Sequence, residues 1–214
     1  MKFVPSALRR RLGWRAQAVI AGAGALLATA GDYRAGVLAA HIPVMLTRLN
    51  ASALTAPALP DGKVSFAFYG VLDEPGDVRV VQADLDAGDV LFVEMLIPKL
   101  PPETGIAPEL LPSLTLVAPS GERRVFTAHR RETFDEPYTD TSYLSYSVGR
   151  MAAEAGTYTM EITGEVPARF VLAVGEEERP GEVLKATIGD IPDVHEWYRT
   201  PPGASAPETA GRAG

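Results

Sequence analysis

The sequence predicts an all-β protein: an antiparallel β-sandwich of eight strands, preceded by an N-terminal signal or hydrophobic helix. Three observations predict it. From Val64 onward, short β-type runs alternate with turn signals at the spacing of a sandwich. Within the runs, residues alternate with a period of two, as in Tyr158, Met160 and Ile162 against Thr157, Thr159 and Glu161. One face is then buried and the other wet, the mark of antiparallel sheets. No amphipathic helical pattern longer than about two turns interrupts the series, which weighs against α/β folds.

The chain opens on a basic segment, Lys2, Arg9, Arg10, Arg11 and Arg15, with no acidic residue before Asp32. Residues 16–30, AQAVIAGAGALLATA, are almost all small or apolar and end in Ala28-Thr29-Ala30. That is an A-x-A cleavage pattern behind a run short for a bilayer span. Residues 1–30 read as a signal peptide of the general secretory route, which makes the protein exported, periplasmic or extracellular. A second apolar run, residues 35–46, has small residues at 39 and 40, so the cut can fall as late as residue 40 and leave His41 first. An uncleaved anchor over residues 16–46 is the third option and would be the only membrane contact; Asp32 and Arg34 in its middle count against it. Beyond residue 30, 15 Lys and Arg stand against 27 Asp and Glu, a formal charge of −12 that disfavours nucleic acid and anionic lipid. The lack of cysteine excludes a lipobox anchor, a disulfide framework and thiolate metal sites.

Residues 31–63 read as an extended N-terminal segment, 64–188 as the sandwich, and 189–214 as a tail, largely disordered after residue 200 where Pro, Gly and Ala dominate. The first strand is VSFAFYGV, 64–71. VRVVQADL (78–85) and DVLFVEMLIP (89–98) flank Asp86-Ala87-Gly88 and read as a hairpin. Five prolines make residues 97–112 a long irregular crossing. SLTLVA (113–118) and RRVFTA (123–128) meet across Pro119-Ser120-Gly121. YLSYSVG (143–149), TYTMEIT (157–163) and ARFVLAV (168–174) complete the set.

The markers Ala87-Gly88-Asp89, Leu114-Thr115-Leu116 with Pro119-Ser120-Gly121, Ala155-Gly156-Thr157-Tyr158 and Phe170-Val171-Leu172 follow the order of the bacterial pre-peptidase C-terminal domain. Over roughly residues 40–178 the chain resembles exported bacterial and archaeal proteins carrying a single such domain. With them it shares Ala40-His41-Ile42-Pro43 and Glu136-Pro137-Tyr138-Thr139. Where that family carries an aromatic pair before its first hairpin, this chain has Val80 and Gln82. The resemblance implies a small jelly-roll-like sandwich outside the cytoplasm, an accessory or binding module, some of whose collagen-binding relatives hold calcium.

The densest chemistry lies in RRETFDEPYTDTSYLSY, residues 130–146. Asp135, Glu136 and Asp140 offer carboxylates for calcium, although their spacing matches no EF-hand. The plainer reading is a hairpin rim, with Pro137 ending a strand and Tyr143 and Tyr146 packing at the sandwich edge. Glu136, Tyr138 and Tyr143, with Trp197 and Tyr198 of DVHEWYRT, are the candidate ligand-binding residues. The two C-terminal aromatics either stack on a ligand such as a sugar or pin the chain end to the sandwich. His41, if it is the mature N-terminus, is a candidate copper ligand with His129 or His195. His195-Glu196 fails as a zinc motif because Arg199 stands where the second His is needed. No G-x-S-x-G elbow, phosphate loop or cysteine nucleophile is present. The expected function is therefore an exported, non-catalytic module that binds an envelope protein or glycan. The alternatives are a calcium or copper module, then an envelope enzyme; no other cofactor is implied.

Overall fold

The computed structural model describes residues 42–203. The expected signal segment with both expected cut sites, His41 and the chain beyond Gly203 lie outside the described residues.

The fold is mostly β, with two mixed sheets. The larger has the order β12 (Thr187–Ile188), β1 (Ile42–Met45), β3 (Phe66–Leu72), β11 (Ala168–Val174), β5 (Val90–Pro98), β9 (Thr141–Ala152), β8 (Glu132–Glu136). The smaller runs β2 (Ala58–Leu59), β4 (Val78–Leu85), β10 (Gly156–Thr163), β6 (Ser113–Val117), β7 (Arg123–Phe126). The sheets enclose one apolar core, where Val81, Leu114 and Met160 of the smaller meet Phe68, Met95 and Leu172 of the larger. Burying apolar area on this scale, at about 25 cal/mol per Å², is what offsets the ordering of the chain.

Three expectations need correction. The runs at 78–85 and 89–98 are not a hairpin: β4 pairs with β2 and β10, whereas β5 pairs with β11 and β9. The reason lies in their patterns. β4 alternates and suits a sheet wet on one side, while every residue of β5 after Val90 is buried, which only a central strand covered on both faces allows. Next, the pairings are not all antiparallel, since β1 runs parallel to β3 and β2 parallel to β4. Both short strands come from the segment read as merely extended; runs of four and two residues are too brief to display a period. Finally, the segment after 189 holds a helix, α1 (Ile191–Arg199). A capping box starts it: Asp193 N donates to Asp190 Oδ1 and Asp190 N donates to Asp193 Oδ2, each at 2.9 Å.

This helix covers the outer face of the larger sheet. Its Val194 and Trp197 pack on Ala67, Tyr69, Leu96, Tyr143, Val171 and Ala173, a second apolar cluster on the side away from the main core. That cover is why β3, β5 and β11 read as near-continuous apolar runs.

At the centre of the larger sheet, Gly70 leaves room for the Phe170 ring: a Cβ on Gly70 would lie 2.4 Å from it. Gly70→Ala is expected to destabilise the protein by about 1–3 kcal/mol, through ring displacement in a packed core. Urea denaturation measures this, and an unchanged midpoint would show that the ring is free to move.

Candidate functional site

The acidic-aromatic stretch folds as the β8–β9 hairpin. β8 stops at Glu136, immediately before Pro137, and the turn is completed by Asp140 in the left-handed region, φ 51°. Aspartate enters that region more readily than most residues, so no glycine is required. Strand alternation then separates sequence neighbours. Asp135 faces solvent, its Oδ1 accepting from Ser142 Oγ at 2.6 Å, while Glu136 turns under α1 and is only 4% exposed.

Asp135, Glu136 and Asp140 are thus not brought together, and among the described residues no three His, Asp or Glu side chains form a metal-binding group. Melting temperature is expected to agree within about 1 °C between EDTA and millimolar calcium. A site filled to 100 times its Kd would instead add about 2.7 kcal/mol. A drop of several degrees on chelation would restore the calcium reading.

What surrounds Glu136 is a buried polar and aromatic cluster. Tyr138 N donates to Glu136 Oε1 at 2.8 Å. Thr139 and Thr141 bring their hydroxyls to 2.6 Å, and Thr141 Oγ1 donates to Tyr143 Oη at 3.0 Å. Tyr143 packs edge-on against Tyr198, with ring centroids 5.5 Å apart, and Tyr69 edge-on against Trp197 at 5.0 Å. The helix is fastened over these groups by three successive bonds. His195 Nε2 donates to Thr139 O at 2.5 Å, Trp197 Nε1 to Gly70 O at 3.1 Å, and Tyr198 Oη to Ser142 O at 2.7 Å. The first of these assigns the histidine proton to Nε2.

Burial sets the electrostatics. It pushes the Glu136 carboxyl up from 4.5 to about 7, against a single opposing backbone N–H, and the Tyr143 phenol up to about 12. Tyr69 is also raised well above its ordinary value, by burial first and then by the neighbouring Tyr143 and Glu136. A carboxyl titrating near neutrality beside phenols is a group acid–base catalysis uses. Here α1 closes over it.

The ligand-binding candidates are therefore brought together, but mostly inside. Trp197 is 7% and Tyr143 0% exposed, so they pack rather than stack on a ligand; Tyr198 is half-buried, and only Tyr138 presents an open ring. Tyr143 and Tyr146 are not edge residues either. Tyr146 lies in the main core and donates to Pro112 O at 2.8 Å. It is the extra residue of a bulge, where Met95 pairs with Ser147 and Leu96 with Ser145.

Sequence reasoning missed one pair entirely. Arg169 (1% exposed) and Glu103 (0%) form a buried, two-bonded ion pair, Nε–Oε1 2.8 Å and Nη2–Oε2 2.6 Å. A lone charge inside the apolar run ARFVLAV was the available signal, since a fully buried arginine requires a partner. A further acid is buried on the larger sheet, on β5: Glu94, raised by burial, accepts from Ser145 Oγ and Arg130 Nη2, each at 2.5 Å.

Among the described residues, two clefts open to solvent stand out, and neither is lined by Glu136. The smaller, about 120 Å³, is flanked by Asp61, Asp84 and Asp86, and the Lys63 ammonium occupies its acidic side, 3.3 Å from Asp61 and 2.7 Å from Asp89. The larger, about 480 Å³, lies at the end of the sandwich. One wall is the turn at Pro75-Gly76 joined to Gly164-Glu165 by Gly76 N donating to Gly164 O at 3.3 Å; the other is a 3-10 turn, Pro108–Leu110, with Leu111.

No protein-family model matches the chain, nor does any curated protein.

Proposed function

We propose that this protein is an exported, non-catalytic β-sandwich module, jelly-roll-like and of the pre-peptidase C-terminal type, that binds a protein or glycan partner at the cell envelope. One observation carries the reading: the reactive buried groups and the accessible concave surface are in different places. Glu136 and its tyrosines are enclosed beneath α1, whereas the 480 Å³ cleft is lined by aliphatic residues, prolines, hydroxyls and two solvated carboxylates. Catalysis needs a perturbed group within reach of a bound substrate, and binding does not. The basic segment, the apolar run of residues 16–30 and the A-x-A pattern support export.

Cell fractionation combined with co-sedimentation tests it. The full chain is expected in the periplasm or medium and to bind isolated envelopes saturably. Loss of binding after protease treatment of the envelopes marks a protein partner; loss after polysaccharide hydrolysis marks a glycan. A cytoplasmic protein with no saturable retention would end this reading.

A further inference from the structure

The larger cleft has a specific chemical character. Its volume, about 480 Å³, falls in the range of small-ligand sites, about 300–1,000 Å³. Pro75, Pro108, Leu110 and Leu111 supply aliphatic surface, and Leu110 is 39% exposed. Glu109 and Glu165 bring one carboxylate from each wall, and among the described residues no Lys, Arg or His lines the cleft. Neither carboxylate has an ion-pair or hydrogen-bond partner among the described residues. Three glutamates elsewhere on the surface are matched instead, Glu161 with Arg123, Glu176 with Arg150 and Glu177 with Arg179.

The walls are held from behind. Leu111 is 6% exposed, Tyr146 Oη bonds Pro112 O, and the crossing that carries Glu109 is tied inward by Glu103 to Arg169. The cleft is thus set by the core, so binding costs little ordering of the protein.

We infer that this cleft docks a basic peptide segment of a partner protein, whose lysine or arginine side chain lays its methylene stem on Leu110 and the prolines and its cation between Glu109 and Glu165. The inference rests on the binding reading above. A long basic side chain is the group that combines an aliphatic stem with a charged head. A glycan fits less well, because no aromatic ring among the described residues lines the cleft for a sugar to stack on. The formal charge of −12 beyond residue 30 also draws basic partners by long-range attraction.

The test is fluorescence anisotropy of the full chain with a labelled peptide alternating alanine and lysine, against a glutamine-for-lysine control peptide and free spermidine. Glu109→Gln with Glu165→Gln is expected to weaken lysine-peptide binding about tenfold at low salt, while Leu110→Ser weakens it about threefold. Glu178→Gln with Glu182→Gln removes the same charge from a distant, exposed stretch and is expected to change affinity less than about twofold, the size of a bulk charge effect. All three variants should melt as the parent does. Equal weakening by the two charge pairs would overturn the site while leaving envelope binding intact. So would spermidine binding more tightly than the peptide, which would reassign the cleft to a small polycation.

Discussion

Replacing Glu103 with glutamine is expected to cost about 3–5 kcal/mol of stability. The carboxylate sits at 0% exposure against a guanidinium at 1%, and it accepts three bonds: from Arg169 N at 2.9 Å, Nε at 2.8 Å and Nη2 at 2.6 Å. The same guanidinium reaches Pro101 O at 3.2 Å and the carbonyl of Tyr198. One cation therefore joins β11, the proline-rich crossing and the end of α1. Losing the acid leaves that cation buried and uncompensated, which is costlier than losing the attraction alone. Urea denaturation should show the lower midpoint, with Trp197 fluorescence changing early as the helix loosens. Glu103→Leu combined with Arg169→Met should recover most of the loss, because an apolar pair of similar volume has no charge to desolvate. A midpoint within about 1 kcal/mol of the parent for Glu103→Gln would mean that solvent reaches the pair.

Stability is also expected to fall as pH rises from about 4.5 to about 7, and Glu136 is the principal cause. Its carboxyl holds a proton up to about pH 7 in the folded protein, but releases it near 4.5 once unfolded. Between those values the unfolded chain binds fewer protons, so each step up in pH favours unfolding. At 1.36 kcal/mol per pH unit, the full penalty is about 3 kcal/mol and is complete above pH 7. Glu136→Gln should match the parent near pH 4 and exceed it by about 2–3 kcal/mol at pH 8. Glu94, also raised by burial, keeps a shallower slope of the same sign in that variant. Asp61, Asp77 and Asp89, lowered from 3.8, act oppositely and only below that value, so they do not obscure the window. Parallel pH profiles for the parent and Glu136→Gln would show that the carboxyl is solvated in the folded state.

How much of this was legible in the sequence depended on how local each cause is. β4, β6 and β10 announced themselves because alternation is written residue by residue, and the Pro119-Ser120-Gly121 turn fixed the β6–β7 hairpin. β5 and β11 were legible as strands but not as neighbours, since a continuous apolar run states that both faces are covered without saying by what. β1, β2 and β12 are too short to carry a pattern. The stretch 130–146 stood out for its carboxylates, yet their fates were set by α1, a helix some 50 residues away that decides which side of the hairpin is dry. Glu103 was invisible because its partner lies 66 residues along the chain. The cleft draws on four separate segments, none with a motif.

The position of β1 has a consequence in time. The strand that leads the described residues lies between β3 and β12, and among those residues β12 is followed by the helix that completes the outer cluster. β1 can dock on β3 as soon as both are made, but its other edge and the outer apolar cluster are completed only when residues 187–199 are present. Pairings of such long sequence separation place folding toward the millisecond-to-second end of the two-state range. The outer face of the larger sheet is therefore the last surface of the described residues to be dried: until residues 187–199 have been made, the apolar side chains of β3, β5 and β11 on that face stand in water.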